Sequence, residues 1–276
     1  METRSRGLAV AGAGLIIAAM IAGMVWGLAA PLPDVPMAAA PLLPPGPDHW
    51  LGTNQLGQDN LLRALAATPG TLALGLAASL IALVLSTVYG FLAVTAPPIL
   101  GRVMMRAVDV LLALPSLVVA MLVASYLRPD PGVLVLLMAG LGWPPDVRVV
   151  AAIARREVAR DSTRYARAFG GGPAYVMVHH VVPRMVPVLV ALTVQGTRHT
   201  IVHASALAFV GLTDPSFPTW GGMLAEALPL LHTPTAVWQI AAPALALCGT
   251  ILVLGLAGTR LEGWAHRSLG GSVDQG

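Results

Sequence analysis

The chain has no lysine; all 16 of its Lys/Arg positions are arginine. That absence excludes a phosphate-binding loop of the form GxxxxGK[ST], whose lysine must reach the nucleotide phosphates. If ATP drives the work of this chain, the ATPase is another polypeptide. Charge of either sign is scarce, at 11% of residues, where a soluble domain carries roughly 25%. One cysteine, Cys248, lies inside an apolar run. This excludes an intrachain disulfide framework and a cysteine metal cluster. The net charge of +3 is small, and the arginines fall between apolar runs rather than along one soluble face. Nucleic acid is therefore not an expected partner.

What is present is apolar. Hydrophobic residues make up 56% of the 276 positions, and mean hydropathy is +0.76. An all-α integral membrane protein follows. A helix needs about 20 apolar residues to cross roughly 30 Å of hydrocarbon. Six segments qualify: Gly7–Ala30, Thr71–Thr95, Ala107–Leu127, Val133–Ala154, Met185–Leu212 and Ala236–Gly258. Trp143-Pro144-Pro145 is expected to kink or locally unwind the fourth. The organisation reads as an N-terminal span with an external segment (1–70), a transmembrane domain (71–263) and a cytoplasmic tail (264–276). With that threading, Arg63 and Arg128 fall outside, Arg198 falls within a span, and the other thirteen arginines, counting Arg148 toward the inner end of the fourth segment, fall inside. Such an asymmetry predicts both termini in the cytoplasm of a multi-pass protein of the cell membrane.

The stretch from Arg148 to Arg184 is a basic island with seven arginines. It is patterned as well as charged. Asp161 is placed to cap a short helix. Tyr165 and Phe169, four residues apart, share one face of it. Gly170-Gly171-Gly172-Pro173 ends it. An aromatic pair on one face and arginines on another suit docking in a groove of a second protein. The plainer reading is a positive-inside loop beside anionic membrane lipid.

Three segments resemble one family. His49-Trp50-Leu51-Gly52-Thr53-Asn54-Gln55-Leu56-Gly57-Gln58-Asp59 is similar to the H-x-L-G-T-D-x-x-G-R-D signature of dipeptide, oligopeptide and nickel importer permeases. Arg164-Tyr165-Ala166-Arg167-Ala168-Phe169-Gly170, through Pro183, resembles the E-A-A-x-x-x-G-(x)9-I-x-L-P loop of ATP-binding-cassette importer permeases. Phe209-Val210-Gly211-Leu212 with Pro218-Thr219-Trp220-Gly221-Gly222-Met223-Leu224 is similar to F-L-G-L…P-x-W-G-x-M-L. The order and length resemble the C-type permease subunit of a dipeptide/oligopeptide importer.

The resemblance implies a type I importer permease fold and alternating access. It implies a second, homologous permease, one or two cytoplasmic ATPase subunits holding ATP and Mg, and an extracytoplasmic binding protein. No cofactor is implied in this chain. Three departures stand out: Arg164 replaces the family glutamate, Asn54 and Gln58 replace Asp and Arg, and Ala204 stands where many relatives carry a glutamate. The plainer readings remain beside these. Asp59 would cap an interfacial helix bearing Leu61, Leu62 and Leu65, and Trp220 would be an anchor of the aromatic belt.

Arg198, His199 and His203 in the fifth span and Asp109 in the third are costly in a bilayer and should face protein or water. They are the candidates for the substrate path, or for polar packing between permeases. His199 and His203 share a face, but two histidines fall short of the three or four ligands of a metal site. Scarce carboxylates disfavour an ion-coupled secondary transporter. His203 and Ser205, two residues apart, do not share a helix face, which disfavours a membrane hydrolase.

Overall fold

The computed structural model describes Met37 and residues 39–270. They form α1 (Asn60–Thr95), α2 (Pro98–Leu112), α3 (Ser116–Leu127), α4 (Pro131–Val158), α5 (Asp161–Ala168), α6 (Pro173–Val176), α7 (Val182–Phe209), α8 (Trp220–Ala227) and α9 (Ala236–Gly270). A π turn, Met177–Val181, joins α6 to α7. Among the described residues four helical runs are long and apolar enough to cross a membrane: α1, α4, Pro173–Phe209 and Ala236–Leu261. The pair α2 and α3, bent by 73°, makes a fifth when taken as one broken span. The expected span Gly7–Ala30 lies outside the described residues.

Four expected boundaries are corrected. The second span begins at Asn60 rather than Thr71. Asp59 accepts from the Leu61 and Leu62 N–H groups, so the helix expected to be interfacial is the first turn of α1 itself. The third span is two helices. Pro115 precedes α3, and its ring disfavours helical geometry at Leu114. Twelve residues rise only about 18 Å, so α3 cannot cross without α2. The fourth span does not unwind at Pro144-Pro145; α4 runs through both. The prolines forfeit two backbone bonds, but Pro144, Val147 and Val150 are buried and the Trp143 ring lies 5.0 Å from Tyr89. Packing against α1 outweighs the lost bonds.

The fifth span starts at Pro173, not Met185, so the expected loop from Pro173 to Arg184 is helix. The Val182 N–H reaches back to the Met177 carbonyl. Pro183 follows with no N–H to continue the ladder, and a single wide turn absorbs that fault.

Helix α1 is the centre of the bundle. It runs parallel to α4, with Leu74 clustering with Leu134 and Gly90 lying against Val150. It runs antiparallel to α7, with Gly75 against Ile201 and Ser79 against Gly196. A Cβ on Gly75 would lie 2.6 Å from Ile201 Cγ1. Ser79 Oγ and Thr197 Oγ1 are 2.8 Å apart across the same contact. Small residues and interhelical hydroxyl bonds replace the hydrophobic effect where the solvent is lipid. Helix α9 runs antiparallel to α7, with Gln239 at Thr53 and Gly255 at Arg198. The His49–Asp59 turn and the basic loop therefore lie at opposite ends of the bundle.

Candidate functional site: a capped end and a basic loop end

At the capped end, the His49–Asp59 turn closes over the start of α1. Gly52 and Gly57 have positive φ of 64° and 73°, a region that favours glycine. There is also no room for a side chain. A Cβ on Gly57 would collide with the Ala39 carbonyl, and one on Gly52 with the Leu43 carbonyl and the Trp238 ring. Thr53, fully buried, donates to the Ala40 carbonyl at 2.8 Å and accepts from the Leu43 N–H at 2.9 Å. The Thr53 carbonyl accepts from Gln239 Nε2. Asn54, buried, accepts through Oδ1 from the Leu56 and Gln58 N–H groups and donates through Nδ2 to Gln58 Oε1 at 2.9 Å. The two uncharged departures thus bond each other. Asp59 also holds His49 Nδ1 at 2.9 Å.

Helix α8 bolts onto this turn. Arg63 and Glu226 form a bidentate pair at 2.6 and 3.0 Å. Trp220 is 2% exposed, and its Nε1 donates to the Ala64 carbonyl at 2.8 Å. The expected belt anchor is therefore a core residue. It is buried because Gly221 lets α8 close on α7, where a Cβ would lie 2.6 Å from the Ser205 backbone. A cavity of about 930 Å³ opens beside α8, with Arg63, Arg128, Asp130, Asp214 and Glu226 on its wall. Hydrogen bonds from the Ser216 side chain and backbone hold the Asp214 carboxyl below the usual range.

At the loop end, α5 stands almost alone. Asp161 does not cap it. The capping position is Arg160, with no side-chain bond, and Asp161 is the first helical residue. Gly170, at φ 88°, ends the helix, and the Gly171 N–H bonds the Ala166 carbonyl. Thr163 and Ala166 face the bundle, while Tyr165 is 66% and Phe169 90% exposed. Arg164, Arg167, Gly170 and Pro183 are exposed. The sequence reading missed what holds this helix. Glu157, at the end of α4, is buried, and its carboxylate meets Arg160 at 3.0 Å and Arg184 at 3.2 Å. Its carbonyl accepts from Thr163 Oγ1 at 2.9 Å. A glutamate directly after Arg155-Arg156 and three residues before Arg160 was the available signal.

The four candidates for the path do not converge. Arg198 lies along Gly255 of α9, and its Nη2 is 3.3 Å from His199 Nε2. His199 is exposed and His203 half-buried. Asp109 belongs to another contact, 2.6 Å from Arg148 of α4 and 3.8 Å from Arg106. None of the four is on the wall of the large cavity. Asp146, half-buried in α4, is a further membrane carboxylate that the sequence reading missed; among the described residues it makes no ion pair. Ala204 borders a pocket of about 20 Å³ shared with Thr71, Ser205 and Asp214, room for about one water. Among the described residues no three His, Cys, Asp or Glu side chains group as metal ligands.

The described residues thus form a bundle of apolar helices with one end locked and the other presenting a small basic helix. The chain belongs to the family of binding-protein-dependent transport system inner membrane components, whose model matches residues 89–270. It is thus a multi-pass membrane permease subunit. It is 34% identical over 214 residues to the di/tripeptide transport system permease protein DppC of Pseudomonas aeruginosa, covering 77% of this chain and 70% of that protein. It is 27% identical over 228 residues to the dipeptide transport system permease protein DppC of Haemophilus influenzae (80% of this chain, 77% of that protein). It is 30% identical over 226 residues to the oligopeptide transport system permease protein OppC of Mycobacterium bovis (80% of this chain, 75% of that protein).

Proposed function

We propose that this chain forms one half of the translocation path of an ATP-driven peptide importer in the cell membrane. A second, homologous permease supplies the other half. One or two ABC ATPase subunits bind ATP and Mg, and an extracytoplasmic binding protein delivers the peptide. Peptides are preferred to nickel because relatives that cover most of the chain are named for di/tripeptides, dipeptides and oligopeptides. The loop end and both termini face the cytoplasm, where the arginine asymmetry puts them. The capped end, with its cavity, faces the binding protein.

The observation that carries the mechanism is the exposed pair Tyr165 and Phe169 on a short helix joined to α4 and α7 through Glu157. ATP binding brings the ATPases together and moves the docked α5. Glu157 passes that displacement to two membrane helices, and the path changes the side to which it opens. Arg198, His199 and His203 of α7 are the side chains we assign to lining that path, because a guanidinium suits a peptide carboxylate.

Co-purification tests the reading. The tagged chain, expressed with its ATPases and second permease, should bring the ATPase down. Changing Tyr165 and Phe169 to Ala should lose it. A chain that purifies alone and transports in liposomes without ATP would refute the proposal. Arg198→Leu should lower uptake while the complex still assembles, and unchanged uptake would remove Arg198 from the path.

A further inference from the structure

The seven arginines of the loop do not serve one purpose. Arg148 is matched by Asp109 at 2.6 Å. Arg160 and Arg184 are drawn onto Glu157, whose side chain is only 3% exposed. Arg155, Arg156, Arg164 and Arg167 remain, all exposed. The carboxylate beside them is Asp161, 81% exposed and 3.7 Å from Arg164. A pair that long between solvated side chains contributes little.

The helix geometry sets Arg164 and Arg167 farther round α5 from the aromatic pair, with Asp161 between them. At about 100° per residue, Phe169, Tyr165, Asp161, Arg164 and Arg167 follow one another around the outer face of α5. Thr163 and Ala166 fall on the inner face, in agreement with their burial. The surface is an aromatic knob with weakly matched positive charge to one side of it. A helix that lies on a lipid surface needs a long apolar stripe, and two aromatic residues in two turns do not supply one.

We propose that α5 is shaped for an acidic groove: the ATPase surface that receives Tyr165 and Phe169 carries carboxylates facing Arg164 and Arg167. This rests on the docking reading above. It makes the permease–ATPase contact charge-selective, so ATPases with a neutral or basic groove are rejected by unmatched arginines.

The test uses the full complex, with ATPase recovery measured at about 50 mM and about 500 mM NaCl. Recovery with the unaltered chain should fall as salt rises. R164E with R167E should cut recovery roughly tenfold or more at low salt, and R164K with R167K should keep it. Reversing the facing carboxylates of the ATPase to Arg should restore recovery with the R164E/R167E chain. If R164E with R167E recovers the ATPase normally at both salts while Y165A with F169A loses it, the acidic groove is wrong and docking stands. If Y165A with F169A also recovers it, docking itself is wrong. If R164E with R167E weakens only binding of the purified chain to vesicles of anionic lipid, the charge serves the membrane and the proposal is overturned.

Discussion

The two ends of the bundle are built on opposite plans. At the capped end a dense local set of hydrogen bonds is joined by three side-chain links to distant parts of the chain. Gln239 bonds Thr53, Glu226 pairs with Arg63, and the Trp220 indole bonds the Ala64 carbonyl. At the loop end a single buried carboxylate, Glu157, ties the helix that carries the exposed aromatic pair. Many independent bonds make a surface whose shape survives the loss of one. A single joint makes a part that moves as a unit and passes its motion on at one place. A permease needs both, a fixed face for what arrives and a movable one for what drives it.

The largest blow to the capped end is Trp220→Ala. It removes a fully buried indole and orphans the Ala64 contact, and it should cost about 3–5 kcal/mol, read as thermal unfolding in detergent. Trp220→Phe isolates the hydrogen bond, worth about 1 kcal/mol.

Glu157→Gln strikes the other end. Removing one partner of a fully buried pair costs about 3–5 kcal/mol. Arg160 and Arg184 are each about a third exposed, so water compensates and about 2 kcal/mol is expected. The amides of α5 should exchange faster, ATPase recovery should persist, and ATP-driven uptake should fall. Uptake at the normal rate would show that the joint transmits nothing.

Asp59→Ala should cost about 1 kcal/mol through the lost cap, and Asp59→Asn about half of that. The smallest effect sharpens the comparison. Asn54→Asp with Gln58→Arg should change stability by less than about 1 kcal/mol, whereas Asn54→Asp alone should cost more because Asn54 is buried. A double-mutant cycle reads the coupling. Additive single effects would mean that the pair is not a unit.

Much of the fold was legible because lipid imposes a simple rule of length and apolarity. The spans at α1, α4, α7 and α9 were found, and Asp59 was correctly read as a cap. The boundaries failed where the rule is silent. Pro173–Val181 carries two histidines and reads as loop, yet it is helix because Val176, Met177 and Val181 are buried. Pro144-Pro145 reads as a break, yet α1 holds the helix together. Trp220 reads as an interface residue because a tryptophan near a span end usually is one.

Of the candidate sites, the loop helix and the turn were visible as local patterns of charge, aromatics and glycine. Glu157 was not, because its importance comes from Arg184, twenty-seven residues away.

Composition alone determined that this protein lives in a membrane and binds no phosphate through a lysine loop. Those are sums over residues, and sums need no coordinates. Which tryptophan is core, which arginines pair with a carboxylate and which carboxylate joins the loop helix to the spans were decided only by the tertiary structure. Each depends on a contact between residues far apart in the chain, and burial and charge pairing exist only once such residues are brought together.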